Sequence, residues 1–283
     1  MDTFLDVVAA EKRQQVAKRR DALPEALLRE HAAQLPSRAS FQSALKRLPG
    51  AAISLITEVK ARAPGRENVR SLEPEDVVED YVRGGASAVS VLTDEAYFGG
   101  SLDTLARVSR ATDLPLLHKE FIVEPYQLLE GKVRGASAAL ILAYYFDERS
   151  LAEIVDAAHA IGIEAVVECS LYDELPRTLA VNPRIVLLNN RPIAAIPADP
   201  TETYSRGEAA NAGRWWEEHS ALQTWYAQGD RLLISASCVD TVKDAELIAG
   251  YPFDALLIGN AAMVAADRRT FVNSLRVGAS HQQ

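Results

Sequence analysis

Charged side chains stand at the ends of several short apolar runs. Glu58 and Lys60 close the first run, Lys119 closes the third, and Glu168 lies inside the fifth. Glu58 and Lys60 are two residues apart, so strand alternation points both to the same face. Carboxylates and ammonium groups in a partly dry site shift one another's pKa values, which suits proton transfer near neutral pH. We therefore predict two acid–base pairs among these four residues; the alternative is structural salt bridges.

A second set of polar or flexible residues closes the later runs. The sixth run ends in Asn189, Asn190 and Arg191, the seventh in Ser235 and Ser237, and the eighth in Gly259 and Asn260. Of these we predict that Asn189, Arg191, Ser237, Gly259 and Asn260 bind substrate. Backbone N–H groups at Gly259 and Asn260 stand where barrels often bind phosphate. The alternative there is an ordinary turn.

The runs themselves repeat along the chain and alternate with longer amphipathic stretches. They cover residues 51–59, 86–93, 114–121, 136–145, 163–170, 184–190, 231–237 and 253–260. Continuous apolar runs are typical of parallel strands that are covered on both faces, and residues 147–162 have helical periodicity. Eight such units predict an α/β fold, a (β/α)8 TIM barrel, with its active site at the carboxyl ends of the strands. A doubly wound open sheet is the rival, but the chain has no Gly-x-Gly-x-x-Gly motif.

The first 48 residues have a helical pattern and precede the strand repeat. We predict a single domain over residues 1–283, with a helical extension over 1–48 and the barrel over 49–283. The extension is expected to lie over or beside the barrel mouth at the carboxyl ends of the strands.

Composition restricts the classes of function. The formal net charge is −9, and non-specific nucleic-acid binding depends on clustered Lys and Arg. No apolar run is long enough to cross a membrane, and the first residues lack a signal-peptide pattern. Cys169, Cys238 and the five histidines have no metal-ligand spacing, and Cys238 is expected to be an ordinary loop residue. These observations favour a cytoplasmic enzyme with no metal.

Several long motifs in this sequence resemble the indole-3-glycerol phosphate synthase family. They are the helical FLDVVAAEKRQQVAKRRDALP, the Glu-Val-Lys triplet at 58–60, VSVLTDEAYFGGSLDTL at 89–105, LLHKEFIVEPYQL at 116–128, Glu168, and the Asn-Asn-Arg triplet at 189–191. The resemblance covers nearly the whole chain.

The resemblance implies closure of the indole ring of 1-(2-carboxyphenylamino)-1-deoxyribulose 5-phosphate, with loss of carbon dioxide and water. It implies no cofactor, a phosphorylated small-molecule substrate, and a monomer or homodimer in tryptophan biosynthesis. Lys119 would be the general acid at the ribulose carbonyl, and Lys60, oriented by Glu58, would hold the benzoate carboxylate and assist proton transfer. Glu168 would accept a proton, while Asn189 and Arg191 would orient the substrate. The order of acid duty between the two lysines stays open.

The chain also departs from the family pattern. The family usually has Ser-Pro-Ser-x-Gly after its first lysine, where this chain has Ala63, Pro64, Gly65, Arg66 and Glu67. The seventh strand usually ends Ser-Glu-Ser-Gly, where this chain has Ser235, Ala236, Ser237 and Cys238. About 40 residues separate Asn190 from Arg231, and that stretch holds Trp215, Trp216 and Trp225.

Three functions fit this combination of kept and changed residues. The first is the family's standard reaction. The second is the same ring closure on a modified arylamino-ribulose phosphate in specialised metabolism, with Trp215 or Trp216 reaching in to stack on the aryl ring. The third is a catalytically reduced barrel that acts as a binding protein. For the tryptophans, the alternative is packing against the outer helices.

Overall fold

Eight parallel strands form a closed barrel in this computed structural model, which describes residues 3–36, 38–61, 73–193 and 207–278. The strands are β1 Ser54–Val59, β2 Ala88–Leu92, β3 Leu116–Lys119, β4 Ala138–Leu142, β5 Glu164–Cys169, β6 Ile185–Asn189, β7 Leu232–Ala236 and β8 Ala255–Ile258. Neighbours in sequence are neighbours in the barrel, and β8 closes on β1. The prediction of a (β/α)8 barrel is confirmed, and the open sheet is wrong.

Each strand buries both of its faces. Ile56, Leu117, Val166 and Leu187 belong to one apolar cluster inside the barrel. The apolar residue before each of them in sequence belongs to a second cluster between the strands and the surrounding helices. Because side chains alternate along a strand, the residue two places beyond each inner residue also faces the barrel axis. This alternation puts Glu58, Lys119, Glu168 and Asn189 on the inner face at the carboxyl ends of their strands.

Helices cover the barrel from outside. They are α1 Phe4–Ala22, α2 Glu25–Gln34, α3 Phe41–Leu45, α4 Pro74–Gly84, α5 Leu102–Ala111, α6 Pro125–Val133, α7 Glu148–Ala160, α8 Leu175–Ala180, α9 Asn211–Glu218, α10 Ser220–Tyr226, α11 Val242–Ala249, α12 Asn260–Val264 and α13 Arg268–Ser274. Local chemistry sets several ends. Thr3 and Asp6 form a capping box at the start of α1, and Gly85 ends α4 with φ of 89°.

Helix α1 lies at the barrel mouth. Phe4 packs edge-on against Phe121, which follows β3, with ring centroids 6.3 Å apart. The Thr3 and Tyr144 hydroxyls are 2.8 Å apart, and Tyr144 follows β4. Leu5 belongs to the cluster inside the barrel. The expected position of the N-terminal segment over the mouth is therefore confirmed for α1.

The rest of the N-terminal segment runs to the opposite end of the barrel. The backbone N–H groups of Phe41 and Gln42, in α3, donate to Glu164 at the start of β5, at 3.0 and 2.7 Å. The Lys46 ammonium pairs with Asp254, just before β8, at 3.1 Å. Placing the whole segment at the mouth is thus wrong, because α3 closes the end where the strands begin.

The three tryptophans lie in the outer helical layer. Trp215 and Trp225 are only 2 % and 3 % exposed and belong to the cluster between strands and helices, and Trp216 packs against that cluster. The Trp215 ring meets the Tyr172 ring edge-on at 4.4 Å, and the Trp225 indole N–H donates to the Pro183 carbonyl. A tryptophan reaching into the mouth from α9 is therefore wrong, because burying these large apolar surfaces between helices is favourable.

Within the described part of the chain, every helix is too short or too polar to span a lipid bilayer.

Candidate active site

Glu58 is the centre of a three-residue ion cluster at the barrel mouth. Its Oε1 lies 2.7 Å from Lys60 Nζ, and its Oε2 lies 2.5 Å from Lys119 Nζ. Both lysines are thus held by one carboxylate, although they come from β3 and from the residue after β1. The expectation that Glu58 and Lys60 share a face is confirmed.

The two ammonium groups outweigh the effect of burial on Glu58. Burial by itself would raise the pKa of this carboxyl group, but Lys119 and Lys60 lower it to about 2. Glu58 is therefore ionised at any physiological pH. A permanently charged group cannot exchange protons near neutrality, but it can hold the two cations in position.

Glu168 has the opposite environment. It is buried, and its Oε1 accepts one hydrogen bond from the Asn189 amide at 2.8 Å. Burial raises the pKa of Glu168 to about 7, and Lys119 and the Asn189 bond offset only part of that effect. The prediction that the four residues form two acid–base pairs is therefore wrong. Glu58 binds both lysines, and Glu168 is hydrogen-bonded to the Asn189 amide instead of a lysine.

Two carboxyl groups with pKa values pushed far apart are typical of acid–base catalysis. Glu58 stays charged, whereas Glu168 can take or release a proton near neutral pH. Lys119 links them, since it contacts Glu58 and lowers the pKa of Glu168. Within the described ranges, no group of three or more metal-ligating side chains is placed to hold a metal ion.

Apolar and aromatic side chains wall the mouth on one side. Phe121 lies within 6.4 Å, centroid to centroid, of Phe4, Tyr97 and Phe98. This cluster packs on the apolar interior of the barrel. A planar apolar ring would find stacking and edge partners here. Sequence reasoning missed this wall; the aromatic pair in AYFGG and the phenylalanine directly after Lys119-Glu120 were the available signal.

The polar side chains at the ends of β6 and β7 are hydrogen-bonded to one another. The Asn190 amide donates to the Ser235 hydroxyl at 3.0 Å and to the Ser237 carbonyl at 3.1 Å. Ser237 and Cys238 both have positive φ, 68° and 61°, which is uncommon for residues with a side chain. The backbone turn that a glycine would favour is thus kept with a cysteine in place.

The remaining predicted binding residues lie at the ends of β6 and β8. The side-chain Oδ1 of Asn189 accepts from the Arg191 backbone N–H at 3.0 Å, so one asparagine side chain orients both Glu168 and the next loop. Asn260 begins α12, and Gly259 precedes it. Phosphate binding at Gly259 and Asn260 stays a prediction. The altered residues Ala63 to Glu67 lie outside the described residues.

Gly259 is confined by the ion cluster. A Cβ atom built there would lie 2.5 Å from Glu58 Oε1 and 2.9 Å from Lys60 Nζ. Gly259→Ala is therefore expected to displace the Glu58–Lys60 pair and to lower kcat by about tenfold, the scale of a small misplacement of catalytic groups. Gly278→Ala is the control, because a Cβ atom there would meet nothing within 4 Å. Equal steady-state rates for both variants would contradict the confinement.

A (β/α)8 barrel with ionisable groups gathered at the carboxyl ends of its strands defines an enzyme of the barrel class. The sequence profile of indole-3-glycerol phosphate synthase matches residues 5–205. The indole-3-glycerol phosphate synthase of Rhodopirellula baltica is 32 % identical over 262 residues, covering 92 % of this chain and 94 % of that protein. That of a Roseiflexus species is 32 % identical over 286 residues, covering 98 % and 100 %.

The chain belongs to the indole-3-glycerol phosphate synthase family. A solved structure of thiamine phosphate pyrophosphorylase from Pyrococcus furiosus is also similar, with a TM-score of 0.51 and 12 % identity, covering 79 % of this chain and 93 % of that one. A likeness at that identity shows the barrel fold alone.

Proposed function

We propose that this chain is a carboxy-lyase that closes the indole ring of 1-(2-carboxyphenylamino)-1-deoxyribulose 5-phosphate. The observation that carries the proposal is the contrast between Glu58, ionised and bound to two lysines, and Glu168, buried with a pKa of about 7. The reaction needs a proton donor at a carbonyl oxygen and later a proton acceptor, and the site contains a candidate for each.

The first step joins the aryl carbon that bears the carboxylate to the ribulose carbonyl carbon. The carbonyl oxygen then takes a proton from the Lys119 ammonium, which Glu58 aims through its Oε2. Lys60, bound to Oε1 of the same carboxylate, is placed to hold the benzoate carboxylate. Release of carbon dioxide returns the bonding electrons to the benzene ring.

The second step removes water. The new hydroxyl takes a proton from the Lys60 ammonium, the second cation bound to Glu58, and leaves as water, and the five-membered ring loses a proton to become aromatic. Glu168 accepts that proton in its ionised form, and Asn189 holds the carboxylate in position. Arg191, Ser237, Gly259 and Asn260 are proposed to bind the hydroxyls and the phosphate.

The direct test uses the purified full chain with this substrate. Formation of the indole ring is followed by its fluorescence, beside the Rhodopirellula baltica relative as a positive control. We expect turnover by both proteins. Fluorescence from the relative alone would reject the standard substrate for this chain.

We propose a monomer or a homodimer, as the family resemblance implies. We propose a cytoplasmic enzyme of tryptophan biosynthesis that takes a phosphorylated small molecule and does not bind nucleic acid. The net charge of −9 supports the last point.

A second candidate function is the same ring closure on a modified aryl group. Ala236 is only 4 % exposed and lies in register with Asn189 on one side and Leu257 on the other. The family pattern has a carboxylate at this position. Without that carboxylate, this part of the mouth carries less negative charge and has more free volume. Both changes favour a less polar or bulkier aryl ring.

Restoring the carboxylate separates the two functions. If the standard substrate is native, Ala236→Glu is expected to preserve or raise kcat/KM for it. If the site has been remodelled, the same change buries an unpaired carboxylate and lowers kcat/KM for the true substrate. Ala236→Gln is the matched control for size without charge. Wild-type values for both variants toward every aryl substrate tested would mean that position 236 does not touch the ligand.

A further inference from the structure

Lys12 is a buried cation that the proposed reaction does not use. It lies in the middle of α1, is only 3 % exposed, and places its Nζ 2.7 Å from Asp94 Oδ2 and 3.0 Å from Glu120 Oε1. An ammonium group removed from water this far is costly unless it is paired, and here two carboxylates raise its pKa despite burial. The pairing joins α1 to two different loops of the mouth.

Glu120 directly follows Lys119 and faces the other way. Its Oε1, beside Lys12, also accepts from the Phe121 backbone N–H at 2.8 Å. Its Oε2 accepts from the Thr93 hydroxyl at 3.1 Å. The Thr93 backbone N–H in turn donates to the Lys119 carbonyl at 3.1 Å. Thr93 therefore connects the two groups: its hydroxyl binds Glu120, the carboxylate paired with Lys12, and its backbone N–H holds the backbone of Lys119.

His118 completes the same network on the other side of Lys119. The Thr93 hydroxyl donates to Glu120 at 3.1 Å and lies 2.9 Å from His118 Nε2, which donates to it in the Nε2–H tautomer. Burial lowers the pKa of His118 to about 3, which keeps the ring neutral. Both neighbours of Lys119 are therefore fixed behind the strand.

Asp94 extends the network to the aromatic wall. Its Oδ1 accepts from the backbone N–H groups of Tyr97 and Phe98, at 2.6 and 3.0 Å. These two rings pack around Phe121, which follows Glu120. The Lys12 ammonium group on α1 therefore connects two parts of the mouth. One is the loop after β2, which carries Tyr97 and Phe98, and the other is the end of β3, which carries Lys119.

We propose that Lys12 is a positioning residue which, through Glu120 and Thr93, fixes the direction from which Lys119 reaches the substrate. The inference rests on the proposed function, because Lys119 must be the proton donor. On this proposal the N-terminal helix α1 controls the position of the Lys119 ammonium group. Lys12 itself does not touch the substrate.

The test is a double-mutant cycle in the full-length chain, with Lys12→Met, Lys119→Ala and the double variant. Lys12→Met is expected to lower kcat by about tenfold with a smaller change in KM, since misdirection affects the chemical step. In the Lys119→Ala background the same change is expected to alter kcat by less than about twofold, because the group it positions is gone. An equal loss of kcat in both backgrounds, or no loss in either, would overturn the proposal.

Two further variants guard against a purely structural explanation. Arg20→Met removes another α1 cation, whose guanidinium binds Glu124, just before α6, at 2.5 Å and is not part of the network. It is expected to keep wild-type kcat, and a loss matching that of Lys12→Met would contradict the proposal. If Lys12→Met does not fold, Glu120→Gln replaces it in the cycle with the same expected outcomes. Wild-type kcat in Lys119→Ala alone would instead reject Lys119 as the proton donor, and no turnover of the standard substrate by the wild type would reject the proposed function, so these failures are distinguishable.

Discussion

Replacing Lys119 by alanine is expected to lower kcat by about 10²-fold or more, the range for removing a positioned general acid. Lys119 Nζ lies 2.5 Å from Glu58 Oε2 on the inner face of the barrel, with its two sequence neighbours fixed behind the strand. Without this ammonium group the ribulose oxygen has no donor on that side. Steady-state kinetics with the standard substrate measure the effect.

Lys46→Ala is the matched control for this change. Lys46 is also a partly buried ammonium group paired with a buried carboxylate, Asp254, but it lies at the opposite end of the barrel. Its loss is expected to lower the unfolding temperature and to leave kcat unchanged. If Lys119→Ala keeps near-normal turnover, the role assigned to Lys119 is wrong, and Lys60 becomes the candidate acid.

Replacing Glu168 by glutamine is expected to abolish most of the turnover and to stabilise the fold at the same time. In the wild type, kcat/KM should fall as the pH drops through about 7, because the proton acceptor must be ionised. Glutamine keeps the shape and the acceptor for Asn189 but cannot take a proton. The remaining activity of the variant should therefore lack this acidic limb, and a limb that persists unchanged would assign it to another group.

The stability effect follows from the sign of the same pKa shift. The pKa of Glu168 is raised to about 7 in the folded chain, so between its ordinary value and about 7 the folded state holds a proton that the unfolded state has lost. The free energy of unfolding therefore falls as pH rises through that window, and above it the loss is complete, with an upper limit of about 3 kcal/mol. Urea unfolding should find Glu168→Gln more stable than wild type at pH 8 and nearly equal at pH 4.5. A variant no more stable at pH 8 would contradict the raised pKa.

The strand ends and their inward direction could be predicted well. Glu58, Lys119 and Glu168 each follow an inner apolar residue by two positions, and alternation alone predicts that they share the mouth. The order of strands in a barrel then brings them together without further information. The same pattern could not predict their pairing, because it contains no distances between side chains from β1, β3 and β5.

The N-terminal segment and the long connection before β7 were predicted only in part. Helical periodicity identified the N-terminal segment, and its length marked the connection as unusual, but neither signal shows which part of the fold an apolar face packs against. Trp215 fills the outer layer because a large apolar side chain gains most where helices and strands leave no water. Helices α1 and α3 lie at the two ends of the barrel because each contributes apolar side chains to its interior cluster.

The amino-acid sequence determined the barrel, the family and the residues that reach its mouth, because these depend on local periodicity and on motifs that are continuous along the chain. Only the tertiary structure decided that one carboxylate holds both lysines, that Glu168 is left with an amide, and that Lys12 of α1 stands behind Lys119. Those outcomes depend on a few ångströms between residues up to about a hundred positions apart, and on how completely each charge is removed from water. Burial and distance set which groups stay ionised, and neither can be known until the barrel has closed.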